Sequence, residues 1–274
     1  QGQVSCVLCP NRCTIPPGEA GLCRVRVNNQ GELQALTYGK ISSIAIDPIE
    51  KKPLHHFHPG STILSIGSYG CNLRCSFCQN WQISQTFKDG RAMSPQDIVN
   101  LAKGYAGANC IGIAFTYNEP LVGYEFVLDT ATLARSQGLK TALVTNGYLC
   151  KEPWNTVINE IDAISVDVKA WDASFYHQLC GGDLGPVLEN LLMAKGKCHI
   201  ELVYLLIPGE NDNTHSVEGF ARWVASELGA DTPVHFSRYF PNYKMDKAAT
   251  PIATLEKAGE LAGKWLKYIH LGNV

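Results

Sequence analysis

The chain has 274 residues, 45% of them hydrophobic and 18% charged, with a formal net charge of −2. That is enough apolar material for one large domain with a buried core, and the balance lacks the basic footprint of a nucleic-acid binder. No run of about 18 apolar residues is present, so no membrane span is expected, and the N-terminus lacks the basic and apolar regions of a secretion signal.

Residues 1–60 read as a small Cys-rich, β-containing lead-in and residues 61–274 as the main domain. The 11 cysteines are grouped rather than spread as a disulfide frame. Such grouping is characteristic of metal ligation in a reducing cytoplasm, which is the expected location. Cys6, Cys9, Cys13 and Cys23 lie in the lead-in, where four thiolates suit either a zinc ion or a fully ligated second iron–sulfur cluster. Thiolate softness favours both metals and does not decide between them. Short strands are expected over 33–38 and 41–46. Lys51-Lys52 is expected to be a solvated turn. In His55-His56-Phe57-His58 only His56 and His58 share a face of an extended segment, so a polar lid at the mouth of the site is expected in preference to a metal site.

From residue 61 the chain alternates. Apolar runs at 62–66, 110–115, 140–144, 163–168, 199–207, 233–236 and 268–271 predict strands. Helical spacing predicts helices over 97–105, 123–135, 153–161, 187–194, 217–228 and 252–266. Ser94-Pro95 and Thr250-Pro251 place a capping residue and a proline at helix starts. Buried strands alternating with helices imply a parallel sheet with right-handed crossovers. The expected fold is therefore α/β, an incomplete (β/α)6-type barrel whose chemistry sits at the C-terminal ends of its strands. The last apolar run reads as a strand cut in mid-course, and with no initiating Met the chain reads as part of a longer protein.

The run Cys71-Asn-Leu-Arg-Cys75-Ser-Phe-Cys78 follows the first main-domain strand. Three thiolates within eight residues can hold three irons of a 4Fe–4S cube, leaving the fourth iron open to substrate. A zinc site completed by a distant ligand is the rival, but zinc sites need four ligands and pair cysteines more regularly. Cys110, Cys150, Cys180 and Cys198 are expected to be buried thiols.

On this motif and its placement the chain resembles the radical S-adenosylmethionine (SAM) superfamily over about residues 61–274. Cys6-x-x-Cys9-Pro-x-x-Cys13, Gly18-Glu-Ala-Gly21-Leu-Cys23-Arg-Val-Arg26, Asp47-Pro-Ile-Glu-Lys-Lys-Pro53, Cys78-Gln-Asn-Trp81 and Phe240-Pro-Asn-Tyr-Lys-Met245 extend the likeness. Together they are similar to the AmmeMemoRadiSam-system radical SAM enzymes, relatives of pyruvate formate-lyase-activating enzyme. A further Cys-x-x-Cys segment common near the end of that family is missing here.

The resemblance implies a catalytic cluster on Cys71, Cys75 and Cys78. Bound SAM would be cleaved reductively to a 5′-deoxyadenosyl radical that abstracts hydrogen from a substrate. Phe77 takes the aromatic position near adenine. Tyr117-Asn118-Glu119 stands where the family carries Gly-Gly-Glu, and Glu119 would meet the methionine ammonium. Thr145 and Asp167 match residues that help hold a monovalent cation, while Lys169 would approach the SAM carboxylate. Val144 replaces an additional acidic cation ligand, and Asp167–Lys169 also reads as a structural ion pair. Ile207 would flank adenine and Arg238 would reach SAM. Trp81, Tyr204 and Tyr239 are further candidates to line the pocket.

The implied protein is a radical SAM oxidoreductase supplied by an electron donor such as flavodoxin or ferredoxin, with a protein or peptide as possible substrate. An activase that installs a glycyl radical in a protein partner is the alternative. A non-catalytic iron–sulfur carrier or redox sensor and a zinc-stapled scaffold are rivals of other classes.

Overall fold

The structure is a computed structural model and describes residues 2–274. Its centre is one sheet of eight strands. These are β1 (Ser43–Pro48), β2 (Thr62–Gly67), β3 (Cys110–Phe115), β4 (Lys140–Thr145), β5 (Ala163–Asp167), β6 (His199–Leu206), β7 (Val234–Arg238) and β8 (Ile269–Gly272). They lie side by side in chain order, and β2 to β8 are all parallel. The end strands β1 and β8 do not pair, so the barrel is open on one side. Ile113, Ala114, Leu143, Ile164 and Val166 are fully buried, as expected of strands covered on both faces. Gly112 is required where β3 and β4 approach, because a Cβ there would collide with the Lys140 carbonyl.

Helices α1 (Pro95–Gly104), α2 (Tyr124–Ser136), α3 (Lys151–Val157), α4 (Leu184–Ala194), α5 (Thr214–Trp223) and α6 (Ile252–Ala262) fill the crossovers. Ser94 caps α1 as expected, and Asp97 completes a capping box with it. Thr250 does not cap α6, whose N-cap is Pro251 without a side-chain bond. Buried Thr250 instead donates to Leu206 O at 2.6 Å and accepts from Tyr239 N at 3.1 Å, tying the chain after β7 to β6.

The lead-in is divided differently from the expectation. Val4–Ser5 pairs with Thr14–Ile15, and Arg26–Asn29 with Glu32–Ala35, each antiparallel. The segment 41–46 splits: Lys40–Ile41 pairs with Arg91–Ala92, while β1 joins the main sheet antiparallel to β2. Residue 60 is therefore not a seam in the sheet.

Because β1 runs antiparallel, the loop after it returns to the N-terminal end of the barrel, where Pro48 faces Thr62. Lys52 in this loop is buried, not solvated, and pairs with Asp47 at 2.8 Å. His55 and His56 donate their backbone N–H groups to Glu201 at 3.0 and 2.7 Å. The histidine segment thus closes the floor of the barrel and is not a lid at the cysteine end. Among the described residues no helix is long and apolar enough to cross a membrane.

Candidate functional site

A cavity of about 360 Å³ opens inside the barrel, within the range of small-molecule sites. At its upper end it is walled by Cys71, Cys75, Cys78 and Phe77 from the loop after β2. Tyr117, Asn118 and Glu119 follow β3, Thr145 and Asn146 come at the end of β4, and Asp167 and Lys169 come at the end of β5. Lys51, Lys52 and Pro53 border it from the loop after β1. Ten of the twelve residues expected to bind the cluster or cofactor therefore share one cavity; Ile207 and Arg238 do not. Ile207 is fully buried in the core. Arg238 donates Nε–H to Thr250 O at 2.7 Å and lays its guanidinium over Phe240, 4.9 Å from the ring centre. Ser237 and Asn273 line the cavity on that side instead.

The cysteine loop is held by its neighbours rather than by regular secondary structure. Gly70 has φ +86°, and a Cβ there would stand 2.7 Å from Cys23 O. Asn72 accepts from Asn146 Nδ2 at 2.9 Å and donates to Tyr148 O at 2.5 Å. Asn11 of the lead-in donates to Asn72 O at 2.7 Å. Leu73 N and Asn146 Nδ2 donate to Cys71 Sγ at 3.4 and 3.6 Å. Such donors stabilise thiolate character and tune a bound cluster.

Burial pushes the Cys71 thiol well above its ordinary range, and the Glu119 and Cys75 charges add to this. Burial also raises Cys78. Cys75 is lowered, first by the Cys180 thiol beside it and then, against burial, by Lys169. Cys180 is buried, as expected, but it supports the loop: its carbonyl accepts from Arg74 N at 2.7 Å.

Glu119 sits in a closed set of donors. Thr145 Oγ1 lies 2.8 and 3.0 Å from its two oxygens, Asn146 N donates at 2.8 Å and Leu121 N at 3.1 Å. Burial pushes this carboxyl up to about 7 against those donors and Lys169. Lys169 Nζ pairs with Asp167 at 2.7 Å. Burial alone would lower Lys169, but Asp167 and Cys75 outweigh it and hold the ammonium charged.

Tyr117 is a bulky residue at φ +75°, a conformation costing on the order of 1–3 kcal/mol and concentrated at functional sites. Its hydroxyl donates to Asp47 at 2.9 Å, its carbonyl accepts from Asn80 at 2.8 Å, and Lys52 Nζ stands 4.6 Å from its ring centre. Burial raises Asp47, but Lys52 and then Tyr117 overcome it and hold the carboxyl at about 2. Lys52 was masked in the sequence by its exposed neighbour Lys51: a Lys-Lys pair carries no signal that one member turns inward.

Trp81 lies outside the cavity lining and stacks on Tyr243 at 5.3 Å. Tyr204 and Tyr239 are fully buried core residues, their hydroxyls bonded to Asn211 O at 3.1 Å and Met245 O at 2.9 Å.

Cys6, Cys9, Cys13 and Cys23 line a second cavity of about 10 Å³ together with Asn72. Burial pushes Cys9 up to about 12 and also raises Cys23. Among the described residues no three His, Cys, Asp or Glu side chains stand in ready coordination geometry, and this includes Cys71, Cys75 and Cys78. Metal binding at any of these groups therefore requires side-chain adjustment.

The Radical SAM superfamily model matches residues 65–223. The chain is 46% identical to protein MJ0808 of Methanocaldococcus jannaschii, over 99% of this chain and 82% of that protein. It is 28% identical to pyruvate formate-lyase-activating enzyme of Clostridium pasteurianum, over 57% of this chain and 66% of that enzyme. In fold it resembles Streptococcus suis SuiB bound to S-adenosylmethionine, with a TM-score of 0.61 at 13% identity, covering 74% of this chain and 48% of SuiB.

Proposed function

The chain belongs to the radical SAM superfamily, whose members use a 4Fe–4S cluster and SAM, and from that premise we propose that it is an enzyme abstracting hydrogen from a substrate held in the barrel. Three loop thiols facing one cavity, with no fourth cysteine in its lining, support this above all, because three thiolates suit a cluster that keeps one iron open. When bound, cluster and SAM supply the reductive cleavage that yields a 5′-deoxyadenosyl radical. Cys71, Cys75 and Cys78 would hold the cluster.

The chain's own residues supply positioning and charge. Lys169 presents an ammonium suited to a carboxylate, held by Asp167. Glu119 fixes the ends of β3 and β4 through Thr145 and Asn146. Phe77 packs on Phe175, with ring centres 5.7 Å apart, and gives the cavity an apolar wall. An external one-electron donor such as flavodoxin or ferredoxin would reduce the cluster. Cys6, Cys9, Cys13 and Cys23 would hold a structural zinc ion, four thiolates being the full complement of a closed zinc site.

A glycyl-radical activase is the second reading, favoured by the likeness to pyruvate formate-lyase-activating enzyme. The deciding experiment is anaerobic reconstitution followed by EPR of the dithionite-reduced protein with and without SAM. A 4Fe–4S signal that changes with SAM, together with 5′-deoxyadenosine release, is expected. An unchanged signal without SAM cleavage would overturn the enzyme in favour of a carrier or sensor. A glycyl-radical doublet on an added partner protein would select the activase.

A further inference from the structure

At the floor of the barrel, away from the cysteine loop, imidazoles gather around one buried carboxylate. Alternate residues of a strand share a face. Val203 and Leu205 of β6 line the cavity, as does Ser237 of β7. Glu201 and His235 therefore lie on the same interior face, one step of about 7 Å nearer the strand N-termini. His270 of β8 is the register partner of His235, and their rings stack with centres 4.8 Å apart.

The loop after β1 adds His55 and His56. The His55 ring lies 4.6 Å from His235 and 4.5 Å from His270, centre to centre. His56 Nε2 stands 2.9 Å from His270 Nε2. Glu201, fully buried, takes His235 Nε2–H at 2.7 Å and His199 Nε2–H at 2.9 Å. Ser165, the register partner of Glu201, has a buried hydroxyl with no hydrogen-bond partner among the described residues.

We propose that His55, His56, His235 and His270 form a binding site for a divalent transition cation of the zinc or ferrous class at the floor of the barrel. Imidazole nitrogen is the common ligand of such ions. A ring nitrogen hydrogen-bonded to a carboxylate leaves the other nitrogen as donor, the usual arrangement behind a metal-bound histidine; Glu201 does this for His235. The four rings do not converge as they stand. Two nitrogens bound to a tetrahedral ion at about 2.0–2.1 Å stand about 3.3 Å apart, so the His56–His270 pair must open slightly. The stacked His235 and His270 rings must turn toward a common point. Imidazoles packed this closely cannot all carry protons, because like charges disfavour one another, and neutral rings have the lone pairs that a cation takes. Glu201 holds the loop backbone and the His235 ring at once, so the site would also clasp the loop under the open side of the barrel. The ligands lie outside the cysteine cavity, so the proposal stands or falls apart from the radical reaction.

The test uses the full chain, reconstituted anaerobically and crystallised with ZnCl2, with diffraction recorded at the zinc edge. An anomalous peak within coordination distance of His56 and His270 nitrogens is expected; peaks confined to the cysteines would overturn the site. In solution, equilibrium dialysis against CoCl2 should give one equivalent per chain fewer in the His56→Ala, His270→Ala double variant, with iron content unchanged. Equal cobalt in a folded double variant would also overturn the proposal. If that variant does not fold, the wild-type crystal decides.

Discussion

Thr145 Oγ1 lies 2.8 and 3.0 Å from the two oxygens of Glu119, so two residues expected to meet a ligand meet each other. Replacing Thr145 with Val leaves a buried carboxylate short of a donor, which costs roughly 1–3 kcal/mol. Thermal denaturation should show the loss, and the Glu119 carboxyl resonance should titrate higher than in the wild type. An unchanged titration would mean that the hydroxyl does not hold the carboxylate.

Glu119 also sets a pH dependence. Burial raises its folded value to about 7 from an ordinary value of about 4.3, so in that interval the folded protein binds the proton and the unfolded chain does not. Stability from this group is fully present below about 4.3 and is lost as pH rises towards 7. The unfolding free energy of wild type relative to Glu119→Gln, both without metal or SAM, should therefore fall across this window. A flat difference would contradict the raised value.

Asp47 behaves with the opposite sign. Lys52 and Tyr117 hold it at about 2, below its ordinary value of about 3.9. Its contribution is present above pH 4 and is lost as pH falls towards 2. Lys52→Met removes the buried partner of Asp47 and leaves it the Tyr117 hydroxyl at 2.9 Å and the exposed Lys51 ammonium at 3.5 Å. It should lower stability near neutral pH, by less than the roughly 3–5 kcal/mol typical of leaving a buried charge uncompensated, because these two partners remain. The gap from wild type should narrow in acid, as read by melting temperatures at a series of pH values.

Gly70→Ala should loosen the cluster loop. The backbone there is left-handed and the added methyl meets Cys23 O at 2.7 Å, so strain and overpacking together should cost roughly 2–5 kcal/mol. Iron retained per chain after anaerobic gel filtration should fall, and retention equal to wild type would show that the loop tolerates the shift.

Removing metal from the lead-in should be felt at the active loop. Asn11 donates to Asn72 O at 2.7 Å, and Asn72 also lines the cavity of the four lead-in cysteines. Cys13→Ser should lose one zinc per chain, lower the melting temperature, since metal binding contributes directly to folding, and broaden the cluster EPR signal. Zinc content equal to wild type would rule out this ligand set, and iron in its place would identify a second cluster.

The seven parallel strands and six principal helices were legible in the sequence, because buried apolar runs and helical spacing report local periodicity. So was the gathering of Cys71, Cys75 and Cys78 at one cavity wall, because the three lie within eight residues of chain. Strand ends then predicted most of the cavity, since chemistry at the C-terminal rim follows from parallel topology. Nothing local distinguishes buried Lys52 from exposed Lys51; only the antiparallel pairing of β1 turns that loop beneath the barrel. The same turn sends His55 and His56 to Glu201 at the floor, far from the mouth where they were expected. Ile207 and Arg238 follow the right strands yet miss the cavity, because side-chain direction there is set by packing and by Thr250 rather than by strand position. The sequence by itself determined the family, the order of the strands and the three thiols that wall one end of the cavity, all carried by short-range spacing. Tertiary structure decided which polar groups pair in the interior, because a buried charge or hydrogen-bonding group takes whatever partner the packed sheet brings within reach.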